Sequence, residues 1–442
     1  MLALLLALSP AQATELVWQG YYRGRALAYD SLSLSTTNAN TEGFSSTIDH
    51  RLLLRPSWLI SDHAAIRAEV DVMKLSLWGE SPDTYVDPVT GETTPVATTD
   101  GVSNVSTSAG VRGWGEAYTS WGRIAMGRMP LQWGAGILWN DGNAVDAEYG
   151  DTADRLQVSG TIGPVFLMGA WDVQVEGFAG ADDDMQSVSL AAGYRSETLG
   201  VGLLNNYRYR PEGAETDDPY QAYTADLWAF AELGAVRAEL EGVAVVGGGS
   251  LGNGADDVTV TAFGVMARGD YKVEKLGFGA EFGVATGDDD PSDKALTTFT
   301  FDRDHNVGLF LFEEPMPTLA AAVSTEANEG RTTDAARSGD GIQNAIYFRP
   351  AVRYQLTPQL LAEGAWLVAG RADSAGTNEA DEGYGNEFNV SLRWDPHPHV
   401  WFQGTVGAFL PGPLYSAYTD DELGKGFDEP AVGARLVGAV EF

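Results

Sequence analysis

Period-two alternation of polar and apolar residues runs from one end of the chain to the other, with no helical stretch of comparable strength, and this limits the fold more than any other feature. Arg67, Glu69 and Asp71 alternate with Ile66, Ala68, Val70 and Val72. Arg155, Gln157, Ser159 and Thr161 alternate with Leu156, Val158 and Ile162. The same holds for Tyr347, Arg349, Arg353 and Gln355 against Ile346, Phe348 and Val352, and for Glu387, Asn389, Ser391 and Arg393 against Phe388, Val390, Leu392 and Trp394. Side chains on a strand point to opposite faces in turn, so each segment predicts a strand with one wet and one apolar face.

The connections alternate in length. Tight joins fall near Asp62-His63, Gly122-Arg123, Gly163-Pro164, Glu197-Thr198, Gly234, Val273-Glu274, Thr357-Pro358 and Pro396 to Pro398. Longer polar segments occupy 35–46, 80–106, 138–153, 178–186, 211–220, 247–257, 287–344, 371–386 and 411–427. Eight short and nine long connections imply eighteen strands, with both ends of the sheet on the short-turn side. A soluble sandwich has no reason to sort its loops by length between its two ends, whereas outer-membrane barrels do so. The expected fold is therefore all-β: a transmembrane antiparallel up-and-down β-barrel of about 18 strands, with short periplasmic turns and long extracellular loops, 287–344 the longest.

Other features agree. No stretch reaches the ~18 uninterrupted apolar residues of a membrane helix, so a membrane form of this chain has to be a closed barrel. The apolar run Leu2 to Leu8, then Ser9-Pro10 and Ala11-Gln12-Ala13, reads as a signal peptide over 1–13, leaving 14–442 as the barrel domain. Absence of cysteine excludes a disulfide framework, a thiolate nucleophile and a Cys-ligated metal site. A net charge of −35 excludes nucleic acid as an expected partner. The chain ends on an amphipathic strand closing in Phe442, which resembles the assembly signal that outer-membrane barrels present to their assembly machinery.

The wet faces predict a pore-lining set. From the first half come Arg23, Arg25, Arg51, Arg55, Arg67, Glu69, Asp71, Arg112, Glu116 and Arg155. From the second come Arg208, Arg210, Arg237, Glu239, Arg349, Arg353, Glu363, Arg393 and Arg435, with Asp226, Glu232, Glu241, Glu281 and Glu387 on the same faces. Guanidinium is always charged and pairs bidentately with carboxylates, so such a wall is either stiffened by ion pairs or, where members stay unpaired, filters solutes by charge. Hairpin geometry predicts Arg55 beside Glu69 and Asp71, Glu232 beside Arg237, and Arg353 near Glu363. Trp18, Tyr22, Trp58, Trp78, Trp121, Trp171, Trp228, Trp366, Trp394 and Trp401 are expected in aromatic girdles at the bilayer surfaces.

The long loops hold the acidic runs Asp182 to Asp184, Asp217-Asp218, Asp256-Asp257, Asp288 to Asp290 and Asp420 to Glu422. They predict a cation-attracting mouth whose effect fades as salt rises. Gly247 to Gly252 matches loose nucleophile-elbow and dinucleotide patterns, but no helix follows, so a flexible loop is expected there. His397-Pro398-His399 reads as a periplasmic turn, and His50 as the one histidine within a strand, on the lipid side. The oxygen-rich stretch Asn140 to Asp154 departs from calcium-loop spacing. No metal, cofactor or catalytic residue is expected.

Several segments resemble an uncharacterised family of porin-like outer-membrane β-barrel proteins of Gram-negative bacteria. They are Gly20-Tyr21-Tyr22-Arg23-Gly24-Arg25 on to Asp30-Ser31-Leu32, His50-Arg51-Leu52 with Pro56-Ser57-Trp58, and Gly127-Arg128-Met129-Pro130 through Gln132-Trp133-Gly134 to Asn140-Asp141-Gly142-Asn143. Tyr149-Gly150-Asp151, Asp154-Arg155, Phe301-Asp302 and Leu309-Phe310-Leu311-Phe312 continue the resemblance. It implies a porin-like fold in the cell outer membrane. The expected function is passive diffusion of small hydrophilic solutes or ions, the alternative being a structural or adhesion barrel whose 287–344 loop plugs the lumen. Expected partners are outer-membrane lipid and lipopolysaccharide, the barrel-assembly machinery, solutes and a homotrimer of the chain.

Overall fold

The alternation becomes, in a computed structural model, one closed antiparallel sheet of eighteen long strands. The structure describes residues 14–30, 44–73, 111–175, 185–210, 219–250, 257–288, 293–313, 341–373, 383–413 and 430–442, with short stretches at 76–77, 84–86, 93–95, 419–420 and 425–426. The first nine strands are β1 Glu15–Asp30, β2 Phe44–Ser61, β3 Ala64–Asp71, β4 Val111–Thr119, β5 Gly122–Pro130, β6 Thr152–Ile162, β7 Val165–Val175, β8 Met185–Arg195 and β9 Leu199–Arg210. The rest are β10 Tyr220–Leu233, β11 Val236–Ser250, β12 Asp257–Val273, β13 Leu276–Ala285, β14 Ala345–Thr357, β15 Leu360–Gly370, β16 Gly383–His397, β17 Val400–Pro411 and β18 Ala431–Glu441. Each pairs with its neighbours in the chain, and Tyr21–Asp30 of β1 pair with Val432–Glu441 of β18, so no edge is left open.

The eight tight joins are turns of two or three residues, all at one end of the barrel, and the nine long connections are at the other. One face of every strand points out. Leu190, Val201, Leu227, Phe282, Val390 and Leu436, spread around the ring, are all exposed on that side. An apolar belt on every side of a closed sheet has hydrocarbon as its natural solvent, and the chain is an outer-membrane β-barrel. Among the described residues no helix is long and apolar enough to cross a membrane.

Trp18, Trp58, Trp121, Trp171, Trp366 and Trp394 are exposed on the outer surface as girdle residues should be. Trp228 and Trp401 are not. Their strand parity turns them inward, where Trp228 Nε1 donates to Glu239 at 2.9 Å and Trp401 Nε1 to Glu441 at 2.7 Å. An indole N–H facing hydrocarbon has no acceptor, while the wet face supplies a carboxylate. Two local expectations also change. Gly247 to Ser250 are not loop but the end of β11, with Gly248 opposite Thr259 and Ser250 opposite Asp257. A ladder tolerates glycine wherever backbones approach closely, and a Cβ at Gly247 would sit 2.3 Å from the Gln221 carbonyl oxygen. His397 closes β16 instead of starting the turn, which is Pro398-His399, so His50 is not the one strand histidine.

Residues 1–13, Trp78, Leu251-Gly252 and the acids Asp182 to Asp184, Asp217-Asp218, Asp256, Asp289-Asp290 and Asp421-Glu422 lie outside the described residues.

Candidate functional site

The inner face is lined by guanidinium groups, and most of them are paired. Arg23 and Arg25 share Asp49 at 3.1 and 2.7 Å, Arg51 holds Asp71 at 2.8 Å, and Arg155 holds Asp172 at 2.5 Å. Arg67 and Arg123 meet on Glu116, each at 2.8 Å. Across the barrel Arg268 holds Glu239 at 2.6 Å, Arg349 and Arg353 share Glu363 at 2.8 and 2.6 Å, and Arg237 reaches Glu232 at 3.2 Å. Arg393 takes Asp395 at 3.0 Å. Arg55 does not join Glu69 or Asp71. Glu69 has Arg55 of β2 on one side and Arg112 of β4 on the other, and it pairs with Arg112 at 2.8 Å while Arg51 takes Asp71. Arg55, Arg208, Arg210 and Arg435 make no ion pair among the described residues, and the Nε atoms of Arg55, Arg208 and Arg435 are buried without a hydrogen-bond partner. Asp49, Asp172, Arg268 and Asp270, the last paired with Arg353, belong to these networks but not to the predicted set, although their parity with Arg51, Ser187, Glu239 and Glu281 would have revealed them.

Eighteen strands enclose more space than wall side chains fill, and two long connections enter it. The segment 131–151, between β5 and β6, begins against β10 and β11. There Trp133 Nε1 donates to Asp226 at 3.1 Å, and the backbone N–H groups of Ala135 and Gly136 both donate to Glu241. It ends against β1 to β4. Arg23 donates to the carbonyls of Val145 and Ala147 at 3.1 and 3.3 Å, Arg51 to Ala147 at 2.6 Å, and Arg112 to Asp141 and Asp151 at 2.7 and 3.0 Å. Strands β10 and β11 lie half-way round the ring from β1 and β2, so the segment crosses the lumen.

The segment 293–313, with 341–344, follows the wall from β12 to β18. Phe299 and Phe301 pack where Gly264 leaves room, since a Cβ there would lie 2.4 Å from Phe299. His305 Nε2 sits 3.0 Å from Glu281 of β13 and 3.1 Å from the Tyr347 hydroxyl of β14. Glu387 of β16 is fully buried and accepts the N–H groups of Leu309, Phe310 and Leu311, the last two at 3.2 and 2.8 Å. Phe310 then packs on Tyr29 of β1 and Phe409 of β17, ring centroids 5.5 and 6.3 Å away. Nearby, burial pushes the Glu313 carboxyl up to about 8.

The two segments interlock. Asp302 N donates to the Ile137 carbonyl at 2.9 Å, and Asp304 accepts the N–H groups of Glu148 and Tyr149 at 2.7 and 3.0 Å. Arg303 lies over the Tyr149 ring at 4.9 Å. Burial first, then the Asp151 charge, pushes the Asp302 carboxyl up to about 8, and burial also raises Asp151. Together the two segments form a septum. A cavity of about 420 Å³ touches Tyr149 and Gly150 on one side, lined also by Arg51, Glu69, Asp71 and Arg112. Another of about 210 Å³ touches Val145 and Asp146, lined also by Arg23, Arg25, Arg393, Trp401, Gln403, Arg435, Val437 and Glu441.

Sequence periodicity could not find Asp302, Asp304 or Asp151 as a group, because all three lie in irregular segments that meet only through the fold. In the stretch Asn140 to Asp154, much of the oxygen goes to local turns. Asn140 Oδ1 accepts Gly142 N at 3.0 Å, Asp141 Oδ1 accepts Asn143 N at 2.9 Å, and Asp151 Oδ2 accepts Asn140 N at 3.2 Å.

No family model matches this sequence, and no curated protein does. Solved structures do. The chain is similar to Pseudomonas aeruginosa OpdQ, with 10% identity, 97% of each chain covered and a TM-score of 0.54. It is similar to OccK9 (OpdG) of the same organism at 12% identity, covering 97% of this chain and 99% of that one, TM-score 0.53. It is also similar to P. aeruginosa OccK2 (OpdF) in complex with glucuronate, at 12% identity, covering 97% and 96%, TM-score 0.52. At such identities the likeness is one of fold, an outer-membrane barrel matched along nearly its whole length.

Proposed function

We propose that this barrel is a porin-like diffusion channel for small hydrophilic solutes, with small carboxylates such as sugar acids as the favoured class. The cavity of about 210 Å³ carries this reading: Arg23, Arg25, Arg393 and Arg435 line it against two acids, Asp146 and Glu441. Arg435 is the group best able to receive a solute, since it has no ion pair among the described residues and its buried Nε lacks a partner. A carboxylate arriving there would gain a charge-assisted contact, of the kind a guanidinium fork makes bidentately, that the wall does not supply. Trp401, with Arg393 4.2 Å above its ring, offers an adjoining flat face for a sugar. The fold neighbour crystallised with glucuronate points to the same class of solute. The septum favours a second reading, a barrel closed by its own loops that anchors or displays a surface.

Single-channel recording in planar bilayers separates the two. The full chain is expected to give discrete steps, and added glucuronate to interrupt the current. Recording in molar salt screens the acidic loops and leaves the chamber to set the response. Arg435→Gln should weaken glucuronate block about tenfold, the worth of one charge-assisted hydrogen bond. Silence from a correctly folded barrel would favour the closed anchor, and block unchanged by Arg435→Gln would remove the carboxylate assignment.

A further inference from the structure

We propose that the outer face of β6 to β10 binds one molecule of outer-leaflet glycolipid, the acylated sugar of lipopolysaccharide, with the sugar on a set of amide donors and an acyl chain in the groove beneath them. The site is on the lipid side of the wall, so it holds whether the lumen conducts or is closed.

Three carboxamides break the apolar belt here. Gln186 of β8, Asn205 of β9 and Gln221 of β10 share the outward parity of the exposed Leu190, Leu203 and Leu227. In each the amide oxygen is already taken. The Trp171 indole donates to Gln186 at 3.3 Å and the Tyr209 hydroxyl donates to it at 3.0 Å, the Tyr207 hydroxyl donates to Gln221 at 3.0 Å, and the Tyr223 hydroxyl donates to Asn205. An indole N–H can only donate, so it fixes Gln186 with its oxygen toward the rings and its NH2 group toward the membrane. The NH2 groups of Asn205 and Gln221 likewise reach no acceptor among the described residues. An amide donor with no acceptor is costly in an apolar surround, so the lipid has to supply one. Cross-strand neighbours are Val173, Tyr209 and Gly248 for the glutamines and Leu190 and Ala225 for Asn205, with no cation among them. The match is therefore to uncharged hydroxyl and carbonyl acceptors, not to a phosphodiester.

The depths of these groups follow the layers of an acylated sugar. Gln186, Tyr209 and Gln221 stand nine, ten and twelve residues from the periplasmic strand ends Arg195, Leu199 and Leu233. At ~3.3 Å per residue and a strand tilt of ~40°, that is roughly 23–30 Å up, the outer edge of an apolar band about 25 Å tall. Sugar hydroxyls belong at that level. Asn205, six residues from Leu199, lies at roughly 15 Å, within the band. An acyl carbonyl, which hangs below the sugar, is the acceptor that Asn205 lacks. From Asn205 a groove of about 550 Å³, lined by Leu203, Leu190, Leu167 and Val158, reaches Trp121 in the turn between β4 and β5. It is continuous with the lipid-facing belt, and a single amphiphile meets both the donors above and the apolar lining below.

Native mass spectrometry of the delipidated full chain in detergent, titrated with deep-rough lipopolysaccharide or with phosphatidylethanolamine, reads the site without any assumption about transport. The native chain should retain one lipopolysaccharide about tenfold more tightly than phosphatidylethanolamine, as one further hydrogen bond implies. Asn205→Leu should weaken that retention about tenfold, yet leave the unfolding temperature of the barrel no lower, since leucine suits the apolar band. Gly169→Phe fills the groove itself: a Cβ there would meet only Leu190, at 3.7 Å, so the wall accepts the side chain. It too should weaken retention about tenfold, whereas Val406→Phe, on the exposed face of β17, should leave retention unchanged. A heat-modifiable gel shift establishes that each variant is folded. Equal retention of the two lipids by the native chain, or retention in Asn205→Leu and Gly169→Phe equal to the native value, overturns the site. A native mass of two or more chains that Gly169→Phe reduces to one would make a second copy the occupant, and overturns it as well.

Discussion

Hydrogen exchange at the amides of Leu309, Phe310 and Leu311 is expected to quicken by about two orders of magnitude in Glu387→Ala, while the strands keep their protection. All three amides end on the one buried carboxylate, whose Oε1 also accepts Asn389 Nδ2 at 2.6 Å. Alanine offers no acceptor. A buried donor left unsatisfied costs about 1–3 kcal/mol, so losing three acceptors at once removes at least about 3 kcal/mol from the closed turn. Burial of Leu309, Phe310 and Leu311 still opposes release, at roughly 1.5–3 kcal/mol for each side chain. The turn should therefore open more often without leaving the wall for good. Glu387→Gln keeps one carbonyl oxygen and should fall between the native chain and the alanine variant. Unchanged exchange in Glu387→Ala would mean that apolar packing alone holds the turn, and that the carboxylate is incidental.

Glu387 is one of several such anchors, and together they explain part of the acid excess. An irregular segment inside a wide barrel carries backbone N–H groups that no ladder satisfies, so the wall has to supply acceptors. Glu241 does this for Ala135 and Gly136, Asp226 for the Trp133 indole, and Glu387 for three residues in succession. On the opposite wall the loop presents carbonyls, and there the anchors are Arg23, Arg51 and Arg112. The septum is thus held by acids at β10, β11 and β16 and by guanidiniums at β1, β2 and β4, according to which end of the peptide unit faces the wall.

Strand number and the direction of nearly every side chain were legible in the sequence, because a barrel wall has a strict period of two and its solvents differ on the two faces. Trp228 and Trp401 show the limit of reading residue type ahead of parity: their positions alone place them inside. The ion-pair partners were only partly legible. Glu232 with Arg237 and Arg353 with Glu363 face each other across hairpins, but Arg112 reaches Glu69 from the next strand along, and the choice between Arg55 and Arg112 depends on side-chain reach. The septum was not legible at all. Nothing in a loop's composition says that it folds inward, and the hold of Asp304 on Glu148 and Tyr149 joins residues with eight strands, β6 to β13, between them in the chain.

Gly142 and Gly234 make a controlled pair for testing how much the septum depends on its own backbone. Both have a left-handed backbone, with φ of 67° and 64°. A side chain at Gly234, in the periplasmic turn, would meet nothing within 4 Å. Alanine there carries only the left-handed penalty of roughly 1–2 kcal/mol, spread over a turn whose flanking ladders remain intact. At Gly142 the added Cβ would lie 1.6 Å from the Tyr149 carbonyl oxygen and 2.7 Å from the Gly150 Cα. Those are backbone atoms, so no rotamer change relieves the clash and the two arms of the 140–151 turn have to part. Parting them breaks the Asp151 N–H bond to the Asn140 carbonyl at 2.7 Å and displaces residues 148 and 149, on which Asp304 holds. Gly142→Ala should therefore speed trypsin cleavage after Arg303 about a hundredfold, as the loss of roughly 3 kcal/mol of local stability implies. Gly234→Ala should leave that rate as it is in the native chain, with at most a small shift in the temperature at which the barrel unfolds. Equal protection of Arg303 in the two variants would show that residues 140–151 adapt to a side chain at position 142, and that the grip on residues 148–151 does not depend on this turn.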